Sequence, residues 1–367
     1  MMSRFGQQMG AVGAACLLLV CTPTLCRSAG SDLPGKVVGL AFVGRMVSDL
    51  DRSVVFYQAL GFSPDPMVDS AWRKDDAIGR LYGAPGVETR AATLAILNAA
   101  SGQPFTVRLR EVRGIGRRNL AGHSAWEPAA THFSLVVSDA AMLWARLETA
   151  GQLRARSWGA RLIAPPGQTL GRIAYLTDPD GLDIELLNQR QTPDASGASK
   201  DPDTQPGVGH AGIVVRNSAK AKAFYGGLLG GHPQSADSPW LKGDFFDSVV
   251  GGHGNIMRVF DESFAEASAP EFRLNFALIE FQNRKKAVAP QRITDSGLGY
   301  VGFEVRGLDG LLARAKAAGA KLVSDGIATT SDGTREVIIR DPDVGGFIEL
   351  FERPTERARC NVPCNPK

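Results

Sequence analysis

The chain has 367 residues, 44% of them hydrophobic, with 41 Lys and Arg against 38 Asp and Glu for a net charge of +3. That length suits about two domains, and the apolar content supplies a core for each. The near balance of charge excludes a general affinity for nucleic acid, and the cluster Arg113, Arg117 and Arg118 reads as a solvated loop.

Residues 1–28 have the pattern of an export signal. Arg4 supplies positive charge, 11–20 is an apolar core too short to span a bilayer, and small residues follow near Cys26-Arg27-Ser28-Ala29. Cleavage after Ser28 implies a periplasmic or secreted protein with no membrane span. A lipoprotein cut before Cys21 is the rival, but Val20 is bulkier than such a site prefers. The body retains only Cys360 and Cys364, which an oxidising compartment would join as a disulfide.

From residue 37 the chain repeats one plan. The segment 37–47 predicts a strand, Asp49 caps a helix carrying Val54, Val55, Phe56 and Leu60, and Gly61 ends it. Asp139 caps a second helix stopped by Gly151. Asn217 precedes a third, with Gly230-Gly231 beyond, and Leu308, Leu311, Leu312 and Ala315 form the apolar face of a fourth, ended by Gly319. Strands are expected at 93–97, 105–112, 171–176, 274–281 and 336–339, so the unit is strand, helix, then about three strands. Residues 191–206, rich in Asp, Pro, Ser and Gly, read as a linker.

The repeat can be counted. Phe42, His132, His210 and Tyr300 open similar strand segments; Phe42 to His132 and His210 to Tyr300 are both steps of 90 residues, and the halves are offset by 168. Asp178-Pro179-Asp180 leads into Ile184-Glu185-Leu186, and Asp341-Pro342-Asp343 into Ile348-Glu349-Leu350. A Glu between apolar strand residues is costly to bury unless something pairs with it, and a metal is one such partner. The string Gly207-Val-Gly-His-Ala-Gly212 fits G-x-G-x-x-G but opens a strand, where a dinucleotide loop should open a helix.

Over residues 37–352 the chain resembles the vicinal oxygen chelate superfamily, which includes glyoxalase I, fosfomycin-resistance proteins and type I extradiol dioxygenases. Val47-Ser48-Asp49, Phe56-Tyr57, Leu60-Gly61-Phe62, Phe224-Tyr225, Leu229-Gly230 and the two Asp-Pro-Asp endings carry the resemblance. It implies an α+β fold of four βαβββ modules in two cupped, barrel-like domains. One domain is expected over 37–190 (modules 37–120 and 130–190) and the other over 207–353 (modules 207–290 and 298–353), with a tail at 354–367.

The resemblance also implies where ligands lie: at the start of a module's first strand and on its last strand. The first set is Phe42, His132, His210 and Tyr300; the second is Glu185 and Glu349, with Glu111 and Glu280 placed by repeat offset. Pairing adjacent modules gives each cup a single His. Exchanged pairing, known in the glyoxalase I branch, gathers His132, Glu185, His210 and Glu280 into one cup. It leaves Phe42, Glu111, Tyr300 and Glu349 in a cup that would hold no metal. Such a centre would take one divalent ion (zinc, nickel, iron or manganese) and act on a small oxygenated molecule as a lyase or isomerase, with Glu185 or Glu280 as general base. An extradiol-type dioxygenase, a non-catalytic small-molecule binder with degenerate sites, and a purely structural role are the rivals. Either a monomer or a homodimer is compatible, because such modules pair within or between chains.

Overall fold

The computed structural model describes residues 35–66, 70–98, 102–120, 122–164, 172–188, 206–233, 238–264, 274–284 and 291–354. The leader 1–28, the linker up to residue 205, and Cys360 and Cys364 lie outside the described residues.

Four modules of one design follow. The first is β1 (Lys36–Val47), α1 (Leu50–Ala59), β2 (Glu88–Asn98) and β3 (Pro104–Arg113). The second is β4 (Thr131–Val137), α2 (Ala140–Thr149), β5 (Ile173–Thr177) and β6 (Asp183–Asn188). The third is β7 (Gly207–Val215), α3 (Ser218–Lys222), β8 (Ile256–Ser263) and β9 (Asn275–Phe281). The fourth is β10 (Leu298–Arg306), α4 (Leu308–Ala317), β11 (Arg335–Arg340) and β12 (Phe347–Glu352). Of the three strands expected after each helix, two are long. The other is replaced by a pair of two-residue strands in modules one, three and four and by isolated bridges in module two.

Local chemistry sets the helix starts. Asp49, Asp139 and Asn217 sit in extended backbone, and each accepts a bond from the amide three residues on, Arg52, Met142 and Lys220. The fourth helix has no such cap; Gly307 opens it at φ 70. Asp178 shapes the Asp-Pro-Asp turn itself: its Oδ1 accepts from the amides of Asp180 and Leu182, both at 2.9 Å. Its Oδ2 accepts from the Tyr57 hydroxyl at 3.0 Å, which ties the second module to the helix of the first.

Strand pairing decides how the modules combine. β1 runs antiparallel to β10 and β4 antiparallel to β7, while each first strand runs parallel to its own module's last strand. One cup is therefore built from modules one and four and the other from modules two and three. The grouping by adjacent modules, 37–190 and 207–353, does not describe these cups. The close strand contacts show why. Phe42 lies across Gly302 and Tyr300 across Gly44, where an added Cβ would come within 2.1 Å of either ring. His132 covers Gly212 in the same way. Along every strand, alternate residues divide between two faces. One face packs on the helices through a shared apolar core that includes Leu109, Leu186, Leu278 and Leu350. The other lines the cups, with separate apolar clusters in each. Among the described residues no helix is long and apolar enough to cross a membrane.

Candidate metal centre

His132 opens β4, His210 lies on β7 and Glu185 on β6, so three strands deliver three side chains to one cup. His132 Nε2 is 3.2 Å from His210 Nε2, and His210 Nε2 is 3.1 Å from Glu185 Oε2. One ligand atom from each of the three lies within 4.8 Å of the others. Ligands about 2.1 Å from a common ion sit roughly 3.0–3.4 Å apart in octahedral or tetrahedral arrangements, and the His132–His210 and His210–Glu185 separations fall in that range. The set is two imidazoles and one carboxylate, a combination that suits zinc, iron, manganese or nickel. Local packing holds it in place. The His210 amide donates to Ser134 Oγ at 2.8 Å, and Gly212 leaves the room that the His132 ring fills.

The two imidazoles are held at opposite ends of the histidine range. Burial, with help from the neighbouring His210 and Arg45, pushes His132 well below its ordinary value, so its lone pair is available. Burial also acts downward on His210. The hydrogen bond and charge of Glu185 outweigh it, Asp261 adds to them, and His210 ends above the ordinary value. A proton on His210 must leave before a metal can bind. Metal affinity is therefore expected to fall as pH drops, with a midpoint above the usual histidine value of about 6.5. Calorimetric zinc titrations across pH 5–9 check this; a midpoint below that value would contradict the assignment.

Glu280, expected as the fourth ligand, is not in the cup. It lies on the helix face of β9, where its Oε2 accepts from the Ser218 amide at 3.1 Å and meets Arg258 at 2.7 Å. Glu111 does the same in the first module, accepting from the Leu50 amide at 2.9 Å and pairing with Arg90 at 2.7 Å. Both glutamates pin a helix start to the sheet. The cup position matching Glu185 is read from register. Glu185 pairs with Ser134, and the equivalent partners are Ala277 with Gly212, Arg108 with Gly44 and Glu349 with Gly302. Ala277 thus stands where a second carboxylate was expected, and Glu280 is three residues beyond it, on the wrong face. Glu280→Ala should cost ~1–3 kcal/mol of stability through lost hydrogen bonds and leave metal affinity within about twofold, measured by denaturant melts and metal titration.

The other cup holds its own cation. Arg108 Nη1 is 3.2 Å from Glu349 Oε1, and the guanidinium lies 3.7 Å from the Phe42 ring centroid. Phe42 and Tyr300, the first-strand counterparts of the two histidines, pack edge to face at 6.0 Å. Burial holds the Tyr300 hydroxyl well above its ordinary value, so it stays protonated. Arg108 takes the place that a metal would need, and it was invisible to motif reading; only strand register places it opposite Glu349.

Two further groups face the metal cup and were missed. Tyr175 is directly opposite Glu185 across β5 and β6, and its ring centroid is 6.1 Å from that of His132. Asp261 is directly opposite Ala277 across β8 and β9. Counting outward from the ligand strands would have found both. The wall beside His132 is otherwise largely apolar, with Val214, Val250, Met257, Ile279 and Phe281; its one carboxylate, Asp183, is buried and paired with Arg156.

Residues 209–337 match the family model of the Glyoxalase/Bleomycin resistance protein/Dioxygenase superfamily. A mutant of glyoxalase I from Zea mays superposes with a TM-score of 0.53 at 15% identity, covering 87% of this chain and 94% of that one. Glyoxalase I from Zea mays itself gives 0.52 at 16%, covering 87% and 92%. A presumed dioxygenase from Bacillus subtilis subsp. subtilis str. 168 gives 0.50 at 14%, covering 89% and 88%. At these identities the likeness is one of fold. A search of curated proteins found no match.

Proposed function

We propose that this chain, which has the vicinal oxygen chelate fold and whose residues 209–337 match the superfamily's model, is a divalent-metal-dependent enzyme of glyoxalase type, a lyase or isomerase for a small oxygenated substrate. The convergence of His132, His210 and Glu185 carries this reading. A divalent ion held there would polarise two adjacent substrate oxygens as a Lewis acid. The protein's own contributions follow from the cup. The largely apolar wall beside His132, which includes Asp183 and, among the described residues, no Lys or Arg, favours a substrate without negative charge. Tyr175, kept protonated by burial, can donate a hydrogen bond to a substrate oxygen. Glu185 is committed as a ligand and Glu280 faces the helices, so neither supplies the general base.

Extradiol-type dioxygenation is the second reading. The observation that favours it is Ala277, which leaves a two-histidine, one-carboxylate set with open positions. Export to the periplasm or beyond is part of the same proposal, resting on residues 1–28, and makes a glutathione adduct a poor candidate substrate. The deciding experiment loads the purified protein with zinc, nickel, manganese or iron(II), then assays 2-oxoaldehyde adducts of small neutral thiols for isomerisation and catechols for oxygen uptake. Metal-dependent isomerisation lost in His210→Ala supports the leading reading, and oxygen uptake selects the second. A protein that binds no metal would leave a non-catalytic binding role.

A further inference from the structure

Two groups flank the centre in equivalent places, one strand out from the ligand strands. Tyr175 lies beside Glu185, and Asp261 lies beside Ala277. Directly opposed residues of an antiparallel pair project from the same face. That face is the cup: Ala277, Ile279 and Met257 belong to its apolar cluster, with Val259 packed against it, whereas Phe276, Leu278 and Phe260 face the helices. Ala277 also approaches the ligands directly, since a Cβ on Gly212 would meet both the Ala277 side chain, at 2.9 Å, and the His132 ring, at 2.3 Å. Truncation of the ligand position to Ala277 therefore opens a gap in the ring of side chains, and Asp261 stands on the far side of that gap. Asp261 is only half-buried, and among the described residues no basic side chain is in salt-bridge contact with it.

We infer that Asp261 is the proton acceptor of this centre, taking the place of the carboxylate that Ala277 removes. A substrate hydroxyl brought to the centre would lose its proton to an Asp261 carboxylate oxygen, the electron pair of the broken O–H bond staying on the substrate oxygen. The inference rests on the metal reading above.

The test uses zinc-loaded full-length protein and 4-nitrocatechol, whose absorbance separates neutral from ionised forms. Wild type should bind the probe ionised. Asp261→Asn should keep its zinc, bind the probe about tenfold more weakly and show less of it ionised, and Asp261→Glu should restore both. Equal affinity and ionisation in Asp261→Asn would overturn the inference alone. So would loss of zinc in Asp261→Asn, which would make Asp261 a ligand. Failure of wild type to take up zinc would overturn the metal reading and this inference together.

Discussion

His132→Ala is expected to weaken metal binding by at least about 100-fold while leaving the protein folded. The ring is 4% exposed, and burial keeps it neutral, so its removal strands no charge. What it removes is one of three coordinating atoms, with Ala277 in the fourth place unable to compensate. His210→Ala should weaken binding comparably and also take from Glu185 its 3.1 Å partner. Metal that binds only the folded state raises the melting temperature by mass action, so zinc should raise the wild-type Tm and leave either variant unmoved. Wild-type zinc affinity in His132→Ala would mean that the three side chains do not form a chelate.

Arg108→Ala should destabilise the protein by about 3 kcal/mol. Glu349 is 3% exposed and Glu336 9%, and both share the apolar cup with Arg108. Burial and the nearby Glu349 already push Glu336 up to about 7. Glu349 is raised too, by burial that Arg108 and Arg110 only partly offset. An acid whose folded value lies above its unfolded one costs stability as pH rises from the unfolded value toward the folded one. The deficit of Arg108→Ala should therefore be largest above pH 7 and shrink toward pH 5, where the raised carboxyls of the folded state take up protons and no longer need the guanidinium. Arg108→Met with Glu349→Met should recover much of the loss, because a buried ion pair can give way to apolar groups of similar size. Urea melts at pH 5 and 8 read all of this; a pH-independent loss in Arg108→Ala would show that packing on Phe42, and not charge, is what Arg108 provides.

Much of the fold was legible because it is written locally. Asp49, Asp139 and Asn217 cap the helices they were expected to cap. The strands at 93–97, 105–112 and 274–281 fall within β2, β3 and the segment around β9. The choice between module pairings was not local. It depends on which first strand another can approach closely, and Gly44, Gly212 and Gly302 act there through residues 80 to 260 positions away, as in the His132–Gly212 and Phe42–Gly302 contacts. His132, His210 and Glu185, which the structure brings together, stood out in the sequence because they occupy repeat positions. Glu280 was misplaced because repeat offset was followed instead of strand alternation, which sends residues 277 and 279 into the cup and 280 to the helices. Arg108 and Asp261 carried no motif at all; a charged residue on a half-buried strand looks solvent-facing until the strand across from it is known.

On this reading one cup is a metal centre and the other is closed by its own guanidinium. Anomalous scattering from a manganese-soaked crystal tests it directly. We predict one strong peak among His132 Nε2, His210 Nε2 and the Glu185 carboxylate, and none beside Arg108 and Glu349. No peak at the histidines, or one of equal strength in each cup, would contradict it.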